Sequence, residues 1–236
     1  MTDAAGTAHI DGLDGYALLD AEAARLERFF ESLPDADWLR PSRCAGWSVR
    51  DLLAHLAGGE DYFRACLDDD LDGLLAQATA AGATDLHSMT AWAIRQRADR
   101  SAADVLQEWR SRSAASRAEL RARGDGTVTT MVGPYPARLQ ALHIAAELAT
   151  HADDAGVPVE AAESADRLAW RAAFSRFALA EADRPVSVEA RDGDNRVRAG
   201  DEGVVLSDAD LVEAVAARPT SVELTDDVRR ALSTMP

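Results

Sequence analysis

The chain has 236 residues, and 47% of them are apolar, which is enough to bury a sizeable core. Its formal net charge is −16 at pH 7, with 41 acidic residues against 25 basic ones, and every basic residue is an arginine. A chain this acidic repels phosphate backbones and anionic membrane surfaces, so we expect neither a nucleic-acid partner nor a membrane partner.

Other features of the sequence bear on the compartment. No apolar stretch approaches the roughly 20 residues that a membrane-spanning helix requires. The segment MTDAAGTAHIDGLDG has no basic region followed by an apolar one, so no signal peptide is predicted. The two cysteines, Cys44 and Cys66, lack CxxC spacing and the density of a disulfide-rich secreted domain. We therefore expect reduced thiols in a soluble, cytoplasmic protein.

The first elements in the chain are predicted to be helices. Residues 14–33 repeat apolar side chains at helical spacing, which predicts one buried face. Ser48 and Asp51 have the spacing of a capping box and predict a second helix that runs to about Leu67. The acidic and then Ala-, Gly- and Thr-rich residues 68–88 are expected to form a mobile connection.

Helical patterning continues after this connection. A third helical region covers about 89–122, and a second capping-box spacing at Ser101 predicts that it is two consecutive helices. The stretch GDGTVTTMVGPYP is predicted to be a turn-rich loop with one short extended piece. Helices follow over about 137–155 and 163–183.

The pattern of residues changes from helical to β-favouring after Pro185. Short β-favouring pieces within residues 186–207 are separated by Gly, Asp and Asn and predict strands. A helix over 208–218, a strand in SVELT at 221–225 and a helix over 226–233 are predicted to follow.

The predicted fold is therefore mainly α, without internal repeats. Residues 1–184 are expected to form a helical bundle, and residues 185–236 are expected to form a small C-terminal α/β domain.

One predicted helix carries a possible metal site. His143, Glu147 and His151 are spaced four residues apart and form one stripe at the border of an apolar face. A carboxylate there is costly to bury unless a cation balances it. His55 flanks the apolar stripe of the second helix and also points toward a groove between helices. Because bundles build metal sites from facing helices, His55, Glu147 and His151 are predicted to bind a divalent metal with one open position.

Other interpretations of these residues stay open. A histidine beside an apolar face is more often a core or boundary residue than a ligand, and helical Glu/His pairs also stabilise plain surfaces. His143 could instead hold Glu147 or a bound ligand. Cys44 could lie near the metal, although such a cysteine is more often a small buried apolar residue. Zinc suits the predicted ligands, but nickel, iron or manganese would also fit them.

Two motifs resemble a known group of enzymes. The motifs are GWSVRDLLAHL at 46–56 and ELATHADD at 147–154. Together they resemble the DinB-like metalloenzyme superfamily, and within it the mycothiol-dependent maleylpyruvate isomerase type. The resemblance covers residues 14–183 and, more loosely, the tail. It implies a DinB-like four-helix bundle followed by a smaller α/β domain.

The resemblance also assigns roles to single residues. It implies that His55, Glu147 and His151 hold zinc, and it places Asp154 at the acidic position after the last ligand. We expect Asp154 to contact the cofactor, together with the nearby His143.

The resemblance also assigns a role to one residue of the predicted C-terminal domain. Arg218 matches an arginine that reaches the active site from the second domain and is the expected catalytic residue. Ala217, however, replaces the glycine that usually precedes this arginine.

The implied cofactor is mycothiol, a low-molecular-weight thiol, at the open metal position, with a small molecule as substrate. A thiolate there would serve cis–trans isomerisation of an unsaturated diacid or a related addition. One alternative is a mycothiol S-transferase in detoxification or natural-product biosynthesis, and another is a non-catalytic binding or regulatory module. The arginine-only, alanine-rich composition is typical of high-GC actinobacteria, in which mycothiol occurs.

Overall fold

The computed structural model describes residues 7–191 and 193–234. Within these residues the chain is mainly helical, with a small sheet near its end, as the sequence predicts. The helices are α1 (Gly15–Ser32), α2 (Val49–Leu67), α3 (Leu71–Ala80), α4 (Leu86–Arg95), α5 (Ala102–Ala122), α6 (Ala137–Ala155), α7 (Ala161–Glu181), α8 (Asp208–Val215) and α9 (Asp226–Leu232). The strands are β1 (Thr127–Thr130), β2 (Gly133–Pro136), β3 (Ser187–Arg191), β4 (Asp194–Ala199) and β5 (Glu202–Ser207). None of the described helices is long and apolar enough to cross a membrane.

The described chain forms two compact units. One is Asp14–Pro158, and the other combines the described residues before Asp14 with those after Pro158. This division groups α7 with the later elements, whereas the sequence predicts a domain boundary between residues 184 and 185. The predicted domain boundary between residues 184 and 185 therefore stays a prediction.

The helical unit is held together by two long helix pairs. Helix α1 packs along α6, and α2 packs along α5. Aromatic rings tie the pairs together, because Phe30 stacks on Trp38 at 5.7 Å and meets the edge of Trp109 at 6.0 Å. Trp109 is only 1% exposed, so this tryptophan is a core residue. These ring contacts therefore link the pair formed by α1 and α6 to the pair formed by α2 and α5.

The ends of these helices follow the sequence signals. Ser48 and Asp51 form the predicted capping box at the start of α2. Ser101 caps α5 and separates it from α4, as predicted. Gly156 adopts a left-handed conformation, with φ of 70°, and ends α6. These caps fix where each helix begins or ends along the bundle.

Two predictions for the helical unit are wrong. Residues 68–88 are predicted to form a mobile connection, but they contain α3 and the start of α4. Asp85 and Ser88 form a capping box there, which supplies a helix start that the Ala- and Gly-rich composition hides. The stretch after α5 forms two strands, because β1 and β2 pair as an antiparallel hairpin from Thr127↔Pro136 to Thr130↔Gly133.

The second unit contains a three-stranded antiparallel sheet in the order β3-β4-β5. Its inner face packs on a core with α8 and α9, where Leu206, Leu211 and Leu232 are completely buried. The predicted strand at 221–225 is absent from these described residues. The backbone N–H of Ser221 instead donates to the carboxylate of Asp210 at 2.6 Å, so it is unavailable to a strand ladder.

One buried carboxyl group stands out in the helical unit. Glu60 of α2 is 2% exposed and hydrogen-bonds with Ser113 and Ser116 of α5, while its Oε2 has no hydrogen-bond partner. Burial raises the pKa of Glu60 to about 7, and the two serines and Arg117 offset this only partly. The carboxyl group is therefore more easily accommodated in its neutral form.

We expect Glu60 to make folding stability depend on pH. Its folded pKa of about 7 lies above the value of 4.5 for the free group, so its contribution is complete below pH 4.5 and is lost as the pH rises through 7. Between pH 5 and pH 8, the free energy of unfolding should fall by about 2 kcal/mol more in the wild type than in Glu60→Gln. Urea denaturation at both pH values measures this difference.

The matched control is Glu119→Gln, because Glu119 lies on α5 but is only partly buried and is ion-paired with Arg64. Between pH 5 and pH 8, the free energy of unfolding of Glu119→Gln should fall as much as that of the wild type. An identical pH dependence in the wild type and Glu60→Gln would contradict the assignment.

Candidate metal centre

The predicted metal ligands come together between α2 and α6. His55 lies on α2, and Glu147 and His151 lie one turn apart on α6. The Oε1 atom of Glu147 is 3.0 Å from Nε2 of His55 and 3.0 Å from Nε2 of His151. One ligand atom from each of the three residues can be chosen so that all lie within 4.8 Å of one another. The geometry is therefore suited to a single ion, and metal binding stays a prediction.

The three side chains differ in exposure. The side chain of His151 is 9% exposed and that of His55 is 19% exposed, whereas that of Glu147 is 39% exposed. The site is thus closed on the side of the imidazoles and open on the side of the carboxylate. Two imidazole nitrogens and a carboxylate oxygen with one open direction form the donor set that catalytic zinc uses. The residues therefore fit a zinc ion.

The electrostatics of the site favour a cation. Burial alone would raise the pKa of Glu147, but the charge of His151 and hydrogen bonds with both imidazoles outweigh it and hold that pKa well below its ordinary value. For His151, burial lowers the pKa, and Glu147 and Asp154 more than reverse this, so the pKa lies well above its ordinary value. Charge and hydrogen bonding together therefore decide the ionisation of Glu147. The carboxylate keeps a negative charge that a proton on His151 or a metal ion can balance.

The second nitrogen of His151 contacts another carboxylate. Its Nδ1 lies 3.1 Å from Oδ2 of Asp154, which is 2% exposed. A histidine that binds a metal commonly donates its other ring N–H to a carboxylate, and this fixes the tautomer and the orientation of the ring. Asp154 is placed to hold the proton on Nδ1 and leave Nε2 free to face Glu147. Its predicted contact with the cofactor stays a prediction.

A tryptophan forms one wall of the site. The ring of Trp47 lies 5.1 Å from the ring of His55 and 6.5 Å from that of His151, measured between centroids. The sequence allowed Trp47 to line a ligand cavity, although aromatic residues at helical spacing are usually core. The indole covers both imidazoles with apolar surface, which excludes water and strengthens the local electrostatics.

The loop that carries Trp47 is tied to the end of α6. The backbone N–H of Ser42 donates to the carbonyl of Trp47 at 2.9 Å, and that of Arg43 donates to the carbonyl of Asp154 at 3.0 Å. Gly46 has a φ of 80°, in the left-handed region that favours glycine, and so permits the tight turn before the tryptophan. The left-handed conformation of Gly46 therefore explains why a glycine begins the GWSVRD motif.

His143 has a partner that the sequence did not reveal. Its Nε2 lies 3.1 Å from the hydroxyl of Tyr135 in β2. His143 belongs to neither group of candidate metal ligands found among the described residues. It lies one turn before Glu147 on the same stripe, and its predicted contact with the cofactor stays a prediction. Tyr135 was missed because its segment was predicted to be mostly loop.

Arg218 lies in the other compact unit, after α8. Its Nη1 donates to the carbonyl of Ala216 at 3.1 Å. Ala217 has a φ of 56°, a left-handed conformation that glycine adopts more easily. This conformation gives a physical reason for the glycine that the resemblance leads one to expect there. The predicted catalytic role of Arg218 stays a prediction.

Comparison with known families supports the resemblance. The model of the mycothiol maleylpyruvate isomerase N-terminal domain matches residues 19–156, which is more than half of the chain and includes every side chain of the candidate metal centre. The similarity that the two sequence motifs indicate is thereby confirmed. No curated protein and no solved structure matched the chain.

Removing the Asp154 carboxylate should weaken metal binding without unfolding the protein. We expect Asp154→Asn to lower the affinity for zinc by about 10- to 100-fold, because the ring of His151 loses the acceptor that orients it. Competition with a chromophoric chelator measures the affinity, and circular dichroism checks the fold. The neighbouring Asp153→Asn variant is the control and should bind zinc like the wild type. Equal affinity in Asp154→Asn and the wild type would contradict the role of Asp154.

Proposed function

The chain belongs to the mycothiol maleylpyruvate isomerase family, and we propose on this premise that it is a zinc-dependent enzyme that uses mycothiol. The proposal rests on the positions of His55, Glu147 and His151. Their donor atoms come from two helices and lie within 4.8 Å of one another. An N-, O-donor set of this kind with an open position is typical of catalytic rather than structural zinc.

The proposed roles follow from the contacts of each side chain. His55, Glu147 and His151 would hold the ion, and Asp154 would keep the proton of His151 on Nδ1. When bound, zinc would lower the pKa of a coordinating thiol and so supply a thiolate at neutral pH. Trp47 would keep water from the imidazole side, so that thiol and substrate enter where Glu147 is exposed.

The proposed reaction is cis–trans isomerisation of an unsaturated diacid or a related thiol addition. A diacid requires cationic or hydrogen-bonding groups for its carboxylates. Arg218 would suit one carboxylate through bidentate hydrogen bonds. The Tyr135 hydroxyl, paired with His143 at 3.1 Å, would supply a donor one helical turn from the ligands.

S-transfer of mycothiol to an electrophile is the alternative reaction. It would use the same ligands and the same open position, but it consumes the thiol, whereas isomerisation returns it. The amount of free mycothiol left after turnover therefore separates the two reactions. A binding or regulatory module without catalysis, the remaining alternative, would give turnover in neither assay.

Thiol binding should depend on both zinc and Glu147. We expect mycothiol to bind the zinc-loaded wild type in calorimetric titrations, and to bind at least tenfold more weakly to the zinc-depleted protein and to Glu147→Gln, because the thiolate loses its cationic partner. An S-methylated mycothiol should likewise bind weakly to the zinc-loaded protein.

Glu31→Gln is the matched control, since Glu31 is 62% exposed on α1. It should bind mycothiol like the wild type. Equal binding with and without zinc, or equal binding of the S-methylated compound, would overturn the proposed use of a metal-activated thiol.

A further inference from the structure

A second group of metal-binding side chains lies on the far side of His151. The thiol of Cys44, Nδ1 of His151 and Oδ2 of Asp154 lie within 4.8 Å of one another. The Cys44 sulfur is 3.1 Å from Oδ2 of Asp154 and 3.9 Å from Nδ1 of His151, and the last two atoms are 3.1 Å apart. We call these three residues the second set, and His55, Glu147 and His151 the first set.

The spacing of the second set matches one face of a metal tetrahedron. With Zn–S near 2.3 Å and Zn–N or Zn–O near 2.0–2.2 Å, donors around a tetrahedral ion are separated by about 3.3–3.6 Å. The observed separations of 3.1, 3.1 and 3.9 Å lie on both sides of this range. Shifts of a few tenths of an ångström would bring all three atoms onto one ion.

The surroundings also favour a cation at the second set. Asp154 is 2% exposed and His151 is 7% exposed, and Cys44 is half-buried and not in a disulfide. A buried carboxylate is stabilised by a nearby positive charge. The backbone of Arg43 donates to the carbonyl of Asp154 at 3.0 Å, which holds the residue before Cys44 against the end of α6. The three donors are thus fixed by the fold.

We propose that Cys44, His151 and Asp154 form a second metal site, selective for soft divalent ions such as cadmium. The two sets differ in chemistry, because only the second contains sulfur, and thiolate ligands favour soft ions. They share His151 through opposite ring nitrogens, Nε2 for the first set and Nδ1 for the second.

The shared imidazole couples the two sets. A neutral imidazole has one nitrogen free to bind a metal while the other carries the proton. An ion at the second set therefore takes Nδ1 and leaves the ring proton on Nε2, facing Glu147. The thiol proton of Cys44 passes to solvent as the metal–sulfur bond forms.

Cadmium titration tests the second site directly, because a cadmium–thiolate bond gives an ultraviolet charge-transfer band. The chain has two cysteines, so each variant gives a clear answer. We expect the band in the wild type, in Cys66→Ser and in Glu147→Gln, and its loss in Cys44→Ser. Circular dichroism should show that all four proteins are folded.

The absence of a band in the wild type, or its persistence in Cys44→Ser, would overturn the proposal. The result is independent of the proposed function, which rests on the first set. Failure of that function would appear as mycothiol binding that ignores zinc, with the cadmium band intact. Failure of the second site would appear as a missing band, with zinc-linked mycothiol binding intact.

Discussion

The carboxylate of Glu147 lies between two imidazoles, with Oε1 3.0 Å from Nε2 of His55 and from Nε2 of His151. A negative charge that is partly removed from water between two imidazoles favours a cation beside it. Two helices have to approach closely for the two histidines to reach it. The packing of α2 near α6 and the position of the Trp47 indole both support this arrangement.

Helix ends control the geometry of the site. Helix α2 starts at the capping box of Ser48 and Asp51, so its position along the bundle is fixed two turns before His55. Helix α6 ends at Gly156, and the guanidinium of Arg40 donates to the carbonyl of Ala155 in its last turn. Both helices are therefore anchored close to the ligands that they carry.

The imidazole of His151 has a carboxylate beside each of its two ring nitrogens. Glu147 faces one ring nitrogen and Asp154 faces the other, so the ring lies between two carboxylates. Such a ring is held in a defined orientation and is a stronger ligand than an isolated histidine. The thiol of Cys44, 3.1 Å from Asp154, extends this line of contacts by one more group.

Local sequence signals predicted part of the site. The spacing of His143, Glu147 and His151 follows from the helical period, and the cap at Ser48 follows from the chemistry of a helix start. That His55 faces Glu147 required the apolar stripe of α2 and the family resemblance, because spacing within one helix says nothing about its neighbour.

Contacts between distant segments were beyond the sequence signals. The thiol of Cys44 meets Asp154 only because a loop is tied to the end of α6, and Tyr135 meets His143 only because its segment forms a hairpin. The strand expected at 221–225 is absent, and the backbone N–H of Ser221 donates to the carboxylate of Asp210 instead. Each of these outcomes depends on hydrogen bonds between separate elements, which compete with local propensity.

We claim that His55, Glu147 and His151 hold a divalent metal, and metal content measured by mass spectrometry is the test. The wild type, purified without chelators and reconstituted with zinc, should contain about one zinc per chain. His55→Ala and Glu147→Ala should lose most of it, whereas His87→Ala, which removes an exposed histidine of α4, should retain it. No stoichiometric zinc in the wild type, or full zinc in both ligand variants, would contradict the claim.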